Sequence, residues 1–336
     1  MLPVANRPIL FYGLNQLKNA GIKEIGLVLG PSNERIRETV GDGSNFEVHI
    51  TYIDQPEPKG IAHALLMAES FIKDDPVVVY LGDNLLKDDI SPLVEEFRKK
   101  NWDELLLLSK TNDIAKRKRF GVAHLDKEGK VTKVIEKPMK HDDIASDLVM
   151  VGVYMFRSKV FEAVKSLKPS WRNELEITEA IQKLIDWNCR VATRVIKGWW
   201  KDTGMPEDIL EANRLVLDEM KTEVHCPISK ASLQGRVSLG VNTKIDETAK
   251  IRGPTIIGEN TTLGANTYVG PFTSIGNNCI INNAEVENSI IMDNCVIDAS
   301  ERIEDSIIAS HSRITSNTYP HQAKKLILGE MSRIEF

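Results

Sequence analysis

Residues 233–281 read LQGRVS LGVNTK IDETAK IRGPTI IGENTT LGANTY VGPFTS IGNNCI I, and the first position of every block is aliphatic. Leu233, Leu239, Ile245, Ile251, Ile257, Leu263, Val269, Ile275 and Ile281 thus stand six apart without a break, and Gly240, Gly258, Gly264, Gly270 and Gly276 each follow one of them. Aliphatic residues make up roughly a quarter of an ordinary chain, so nine in one phase arise by chance on the order of once in 10⁵. A period of six matches neither the helix nor the plain strand. It fits a triangular β-solenoid, in which each six-residue side is a short strand and a corner and one aliphatic per side stacks on the coil below. The phase slips after Ile281 and resumes at Ile291, Ile297 and Ile303, which predicts a loop or irregular corner over Asn282 to Ser289.

Upstream of about residue 222 the texture changes, and we divide the chain into 1–222 and 223–336. Ile9 to Ala20 reads as a helix with Gly21 as its C-cap. Strand patterns at 24–29, 47–53, 75–81 and 104–109 alternate with helix patterns at 61–72 and 90–100. This rhythm predicts an α/β domain with a mostly parallel sheet covered by helices on both faces. Such sheets bind ligands at the carboxyl ends of their strands, where the Gly82-Asp83-Asn84 turn follows the apolar run Val77 to Leu81.

Composition narrows the classes further. The chain has 336 residues, a net charge of −5, 42% hydrophobic and 27% charged residues, which is soluble and globular rather than disordered. Mild acidity argues against a nucleic-acid partner. The longest apolar runs fall far short of a membrane span, and no basic region followed by an apolar stretch opens the chain, so cytoplasm is the expected compartment. Cys189, Cys226, Cys279 and Cys295 form no C-x-x-C pair and have no histidines at zinc spacing, and they read as reduced and structural.

Several side chains suit phosphate and sugar chemistry. Asp83, after a buried strand, could hold Mg²⁺ against a polyphosphate, or simply cap a turn. Asp202, in Trp199-Trp200-Lys201-Asp202-Thr203-Gly204, could complete that metal site or serve a turn of its own. Gln55, in Gln55-Pro56-Glu57-Pro58-Lys59-Gly60, offers the donor and acceptor that suit a pyrimidine edge, and Gly60 would allow close approach; a stiffened surface loop is the alternative. Glu136 and Lys137, before Pro138, could meet sugar hydroxyls and a phosphate, or form an exposed charge pair. Glu174-Leu175-Glu176 opens a helix and reads as structural.

In order along the chain, Gln55-Pro-x-Pro-x-Gly60, Leu-Gly-Asp83-Asn, Phe120-Gly121-Val, Glu136-Lys137-Pro, Gly152-Val-Tyr154, Glu-Leu-Glu-Ile-Thr and Trp-x-Asp202-Thr-Gly resemble the sugar nucleotidyltransferase family in its long form. The resemblance covers nearly the whole chain. It implies a Rossmann-like nucleotide-diphospho-sugar transferase domain followed by a left-handed parallel β-helix. It further implies in-line attack of a sugar 1-phosphate oxygen on the α-phosphorus of a nucleoside triphosphate, expelling pyrophosphate. Asp83 and Asp202 would bind the Mg²⁺, with Lys137 beside them in catalysis. Gln55, Gly60 and Gly82 would bind the nucleotide, and Gly121, Glu136, Lys137, Gly152 and Tyr154 the sugar phosphate. The implied substrates are dTTP or UTP with glucose 1-phosphate, and solenoid faces suggest a homo-oligomer.

The resemblance also has a departure. The family opens with a strand and a loop of the form G-G-x-G-T-R-L-x-P-x-T, followed by Pro-Lys, and nothing corresponds before Leu2 to Pro8. Losing one group that stabilises transition-state charge costs about 2.7–4 kcal/mol, so this chain is expected to be nearly inactive. A gap is expected between the strands at 24–29 and 75–81. Two other readings compete: a non-catalytic assembly subunit, and a second, acetyl-transferring activity in the solenoid with His311 or His321 as base.

Overall fold

The computed structural model describes residues 1–140, 142–226 and 232–315. His321 and the apolar tail at 326–330 lie outside the described residues. Two compact units result, Leu10–Asp202 and a second that joins Met1–Ile9 to the chain from Thr203 onward.

In the first unit, α1 (Ile9–Asn19), β3 (Glu24–Leu29), α2 (Glu34–Val40), β4 (His49–Asp54), α3 (Ile61–Met67) and α4 (Glu69–Ile72) follow a short N-terminal hairpin, β1 (Pro3–Val4) and β2 (Arg7–Pro8). Next come β5 (Val77–Tyr80), β6 (Asn84–Leu86), α5 (Ser91–Lys99), β7 (Glu104–Lys110), α6 (Ile114–Arg117), β8 (Val122–Leu125) and β9 (Val131–Ile135). The unit closes with β10 (Leu148–Phe156), α7 (Lys159–Lys165), α8 (Ile177–Asp186), β11 (Val191–Val195) and β12 (Trp200–Asp202). The helix expected over 61–72 breaks at Ala68 into α3 and α4.

The sheet corrects the expectation of mostly parallel strands. β10 runs antiparallel to β5 on one edge and to β7 on the other, while β11 pairs with β7 in parallel. β5, β7 and β11 therefore point one way, and β10 is wedged against them. An apolar run such as Leu148–Phe156, buried throughout, satisfies both faces of a central strand and carries no mark of direction. Leu105 to Leu108 of β7 are likewise fully buried, with alternate residues entering opposite cores. Leu106 and Leu108 pack with residues of α3, α7 and α8, and Leu105 and Leu107 with residues of α1 and α5. Helices thus cover both faces, as the alternation requires. β3 and β4 pair in parallel only with each other, and no pairing joins them to β5 among the described residues.

The second unit holds the solenoid. Three parallel five-stranded sheets stack five coils, with Leu239, Ile257, Ile275, Ile291 and Ile308 forming one inner column. Leu239, Leu263, Val269, Ile275 and Ile281 are fully buried. Of the loop or irregular corner expected over 282–289, the structure shows the irregular corner, around a strand, Glu285–Glu287, with Val286 in the core. Two successive sides are five residues long, from Ile281 to Val286 and from Val286 to Ile291, and the rung hydrogen bonds continue across them. A shortened corner keeps the inner column intact, so the phase shifts without a loop.

This unit also takes in the N-terminal hairpin and α9 (Pro206–Glu219), which lies upstream of the composition change at 222. Asn213 of α9, fully buried, explains why. Its Oδ1 accepts from the Ala5 N–H at 2.8 Å and the Ser274 hydroxyl at 2.7 Å, and its Nδ2 donates to the Phe272 carbonyl at 3.0 Å. Asn6 Nδ2 donates to the Ile275 carbonyl at 2.6 Å. The hairpin turn places Ala5 and Asn6 at positive φ, and Val4 is sealed from solvent. Among the described residues no helix is long and apolar enough to cross a membrane. All four cysteines are free thiols.

Candidate active site

Asp83 and Asp202 are 119 positions apart in sequence, and antiparallel pairing of β6 with β12 brings them to one corner: Asp202 is the register partner of Asn84, the residue after Asp83. Asn84 is the hub of this corner and is itself buried. Its Nδ2 donates to Asp83 Oδ1 at 2.8 Å. Its Oδ1 accepts from Trp200 Nε1 at 2.6 Å and from the Gly152 N–H at 3.2 Å. Gly152 has no room for a side chain, because a Cβ there would lie 2.5 Å from that same Oδ1. Asp83 is exposed and Asp202 half-buried, so hard-oxygen donors face outward from a rigid base. Gly82, exposed in the turn, has only Leu10 Cδ1 near its Cβ position, at 3.3 Å.

Beside this corner lies the second cluster. Glu136 and Lys137 leave the end of β9, and Lys137 takes a left-handed φ of 41°, uncommon for a non-glycine residue and costly wherever the surroundings impose it. Its N–H donates to the Phe120 carbonyl at 3.2 Å, and the Gly121 carbonyl accepts from the Met150 N–H at 2.8 Å. Gly121 is closed in by Met150 Sδ, 2.7 Å from its Cβ position. The Phe120 ring meets Trp200 edge-on at 4.9 Å, which ties this segment back to the Asn84 hub. Tyr154 is buried, and burial, then the charges of Glu136, Glu104, Asp202 and Asp83, all push its phenol up. One tyrosine therefore feels both the carboxylate of the second cluster and the aspartates of the first.

Glu136 sits above the ordinary carboxylate range, first through burial and then through the charge of Glu176. Arg172 answers that charge. Its guanidinium lies 3.0 Å from Glu174, 3.4 Å from Glu176 and 3.8 Å from Glu136. Glu176 also accepts from the Ser170 hydroxyl at 2.9 Å. The Glu174-Leu175-Glu176 segment, read in sequence as a helix start, thus belongs to the site's charge network as well. Sequence reasoning missed Arg172 and Asn84. Their signals were local: an arginine two positions before Glu174, and an amide directly after Asp83.

The same segment clasps the third element. The Leu175 N–H donates to the Lys59 carbonyl at 2.7 Å, and the Ala62 N–H donates to the Leu175 carbonyl at 3.2 Å. Gly60 has φ 97°, and a Cβ there would lie 2.6 Å from the Leu175 carbonyl oxygen. Glycine is required by this backbone contact and by the positive φ together. Gln55 is oriented by its Nε2, 2.9 Å from His63 Nδ1 and 3.3 Å from the Gly60 carbonyl. Among the described residues no group of three or more His, Cys, Asp or Glu side chains gathers at metal-binding spacing. His311 is exposed on a solenoid corner at positive φ.

The nucleotidyl transferase family profile matches residues 1–219, and a GMPPB C-terminal domain profile matches residues 251–335. The chain belongs to the nucleotidyl transferase family. Over its whole length it is 41% identical to a glucose-1-phosphate thymidylyltransferase of Streptomyces antibioticus, spanning 92% of that protein. It is also 41% identical, over the whole chain and 93% of the relative, to the low-salt glycan biosynthesis nucleotidyltransferase Agl11 of Haloferax volcanii. A crystal structure from Bacillus anthracis, provisionally assigned as a glucose-1-phosphate thymidylyltransferase and holding a sucrose, superposes with a TM-score of 0.59. It is 34% identical and covers 66% of this chain and 87% of that one. As a nucleotidyltransferase the protein is an enzyme.

Proposed function

We propose that this nucleotidyltransferase is a glucose-1-phosphate thymidylyltransferase, joining dTTP to glucose 1-phosphate to give dTDP-glucose and pyrophosphate. The observation that carries the reading is the pairing of β6 with β12, which sets Asp202 opposite Asn84, the residue next to Asp83, with Asn84 hydrogen-bonded to Asp83. Full-length similarity to a thymidylyltransferase supports it. Two carboxylates form the hard-oxygen set that magnesium takes when substrate phosphates and water complete its octahedron, so the donor set fits that ion. Asp83 and Asp202 would hold it, and when bound it neutralises phosphate charge.

The chain's own residues do the rest. Gln55, its Nε2 held by His63 and the Gly60 carbonyl, presents its Oε1 to the pyrimidine. Glu136, in its ionised form, accepts from sugar hydroxyls, with Gly121, Gly152 and the buried Tyr154 shaping the pocket wall. Lys137 draws the phosphate of glucose 1-phosphate toward the α-phosphorus. Positioning and charge neutralisation dominate in such a transfer, and no covalent nucleophile is required. The test is pyrophosphate release and nucleotide-sugar formation with dTTP or UTP and glucose 1-phosphate. Product with dTTP at a rate at least equal to that with UTP supports the reading. Product with UTP alone would replace it by a uridylyltransferase, and consumption of acetyl-CoA with glucosamine 1-phosphate would add a second activity.

A further inference from the structure

Thr243, Thr261, Cys279, Cys295 and Ser312 occupy one column of the solenoid, because Lys244, Thr262, Ile280, Val296 and Arg313, each one residue later, are register partners from coil to coil. The members of this column cap carbonyls of the next coil. Thr243 and Thr261 donate to the Gly258 and Gly276 carbonyls, both at 2.8 Å. Cys279 and Cys295 do the same with their thiols, to Met292 and Ala309, both at 3.1 Å. A thiol is a weaker donor than a hydroxyl, so the ladder alone gives no reason for two successive cysteines.

We propose that Cys279 and Cys295 form a site of covalent modification, a disulfide between successive coils made when the protein meets a hydroperoxide. Neighbouring strands run about 4.7–4.9 Å apart, inside the roughly 4.4–6.8 Å between Cα atoms that a disulfide spans. The backbones are locked at that spacing by the Ile280 N–H, which donates to the Cys295 carbonyl at 2.9 Å. Both side chains are fully buried in one cluster with Ile281 and Ile297, so an oxidant must be small and uncharged. One cysteine thiolate displaces hydroxide from the peroxide oxygen to give a sulfenic acid, and the other thiol attacks that sulfur with loss of water. Two thiols and one peroxide yield one disulfide and two waters.

The experiment treats the folded chain with hydrogen peroxide, then unfolds it, alkylates it and cleaves it at Glu285 or Glu287, between the two cysteines. The expected result is a pair of fragments joined through Cys279 and Cys295, two fewer reactive thiols out of four, and a higher melting midpoint, all reversed by dithiothreitol. Cys279→Thr and Cys295→Thr keep the ladder donor and should fold, without the link or the rise. Separate fragments with both thiols still alkylatable, sulfinic acid at either position, or a link that forms only in denaturant would each overturn the proposal.

Discussion

Asn84→Ala is expected to weaken metal dependence more sharply than any other single change outside the aspartates. The substitution removes the 2.8 Å hydrogen bond that orients Asp83 and orphans two donors, the Gly152 N–H and Trp200 Nε1. The buried Gly152 N–H left unpaired costs about 1–3 kcal/mol, and the half-buried Trp200 Nε1 adds less. The lower end applies if a water fills the space vacated by the carboxamide. Losing the outer partner of a metal-binding carboxylate typically costs about 10–100-fold in metal affinity or activity. Initial rates of pyrophosphate release, measured against magnesium concentration at saturating substrates, should show half-saturation moved up by about that factor, with partial recovery at high magnesium. Circular dichroism melts establish that the variant is folded at the assay temperature. Trp200→Phe deletes one donor to Asn84 but leaves the bond to Asp83, and should shift the magnesium curve far less. A folded Asn84→Ala enzyme with the original magnesium dependence would refute the role given to the hub.

Other outcomes follow from the same contacts. Gly60→Ala puts a Cβ against the Leu175 carbonyl at positive φ, and should cost at least about 1 kcal/mol of stability and raise KM for the nucleoside triphosphate. Because burial and Glu176 raise the Glu136 carboxyl, kcat/KM for glucose 1-phosphate should fall with decreasing pH sooner than an ordinary carboxylate would dictate. Glu176→Gln should move that acid limb to lower pH, and Glu136→Gln should abolish it together with most activity. Glu104 is fully buried, and neither carboxyl oxygen has a hydrogen-bond partner among the described residues. Burial raises its carboxyl, so the folded chain keeps a proton that the unfolded chain releases above about pH 4.3, and stability falls as pH rises through that range toward the folded value. Glu104→Met should therefore gain about 1–3 kcal/mol in denaturant melts at neutral pH, and less near pH 3. Ile281→Ala, at a fully buried inner position of the solenoid, should cost about 2–5 kcal/mol.

The solenoid was legible because one inward position per side repeats the same chemical demand, and no neighbouring element is needed to read it. Its phase slip was legible as a loop or an irregular corner; sequence spacing cannot choose between these two, whereas Val286 in the core shows the corner. In the first unit, strands and helices followed from apolar runs and caps, but the reversed direction of β10 did not, since pairing direction is a tertiary property. Asp83, Asp202, Glu136 and Lys137 were visible as chemistry after turns. What joins them was not: the Asn84 hub depends on β6 meeting a strand more than a hundred residues away, and Arg172 reaches Glu136 across 36 positions.

The hairpin at the chain's beginning has a consequence for synthesis. Asn6 and Ala5 find their partners at Ile275 and Asn213, so they must wait for residues made more than two hundred positions later before they are satisfied. At about 5–20 residues per second, some 10–50 s separate the emergence of Ala5 from that of Ile275. During that interval Val4 has no core to enter. The second unit must close around a segment made long before it, and cannot be finished by its own repeats alone.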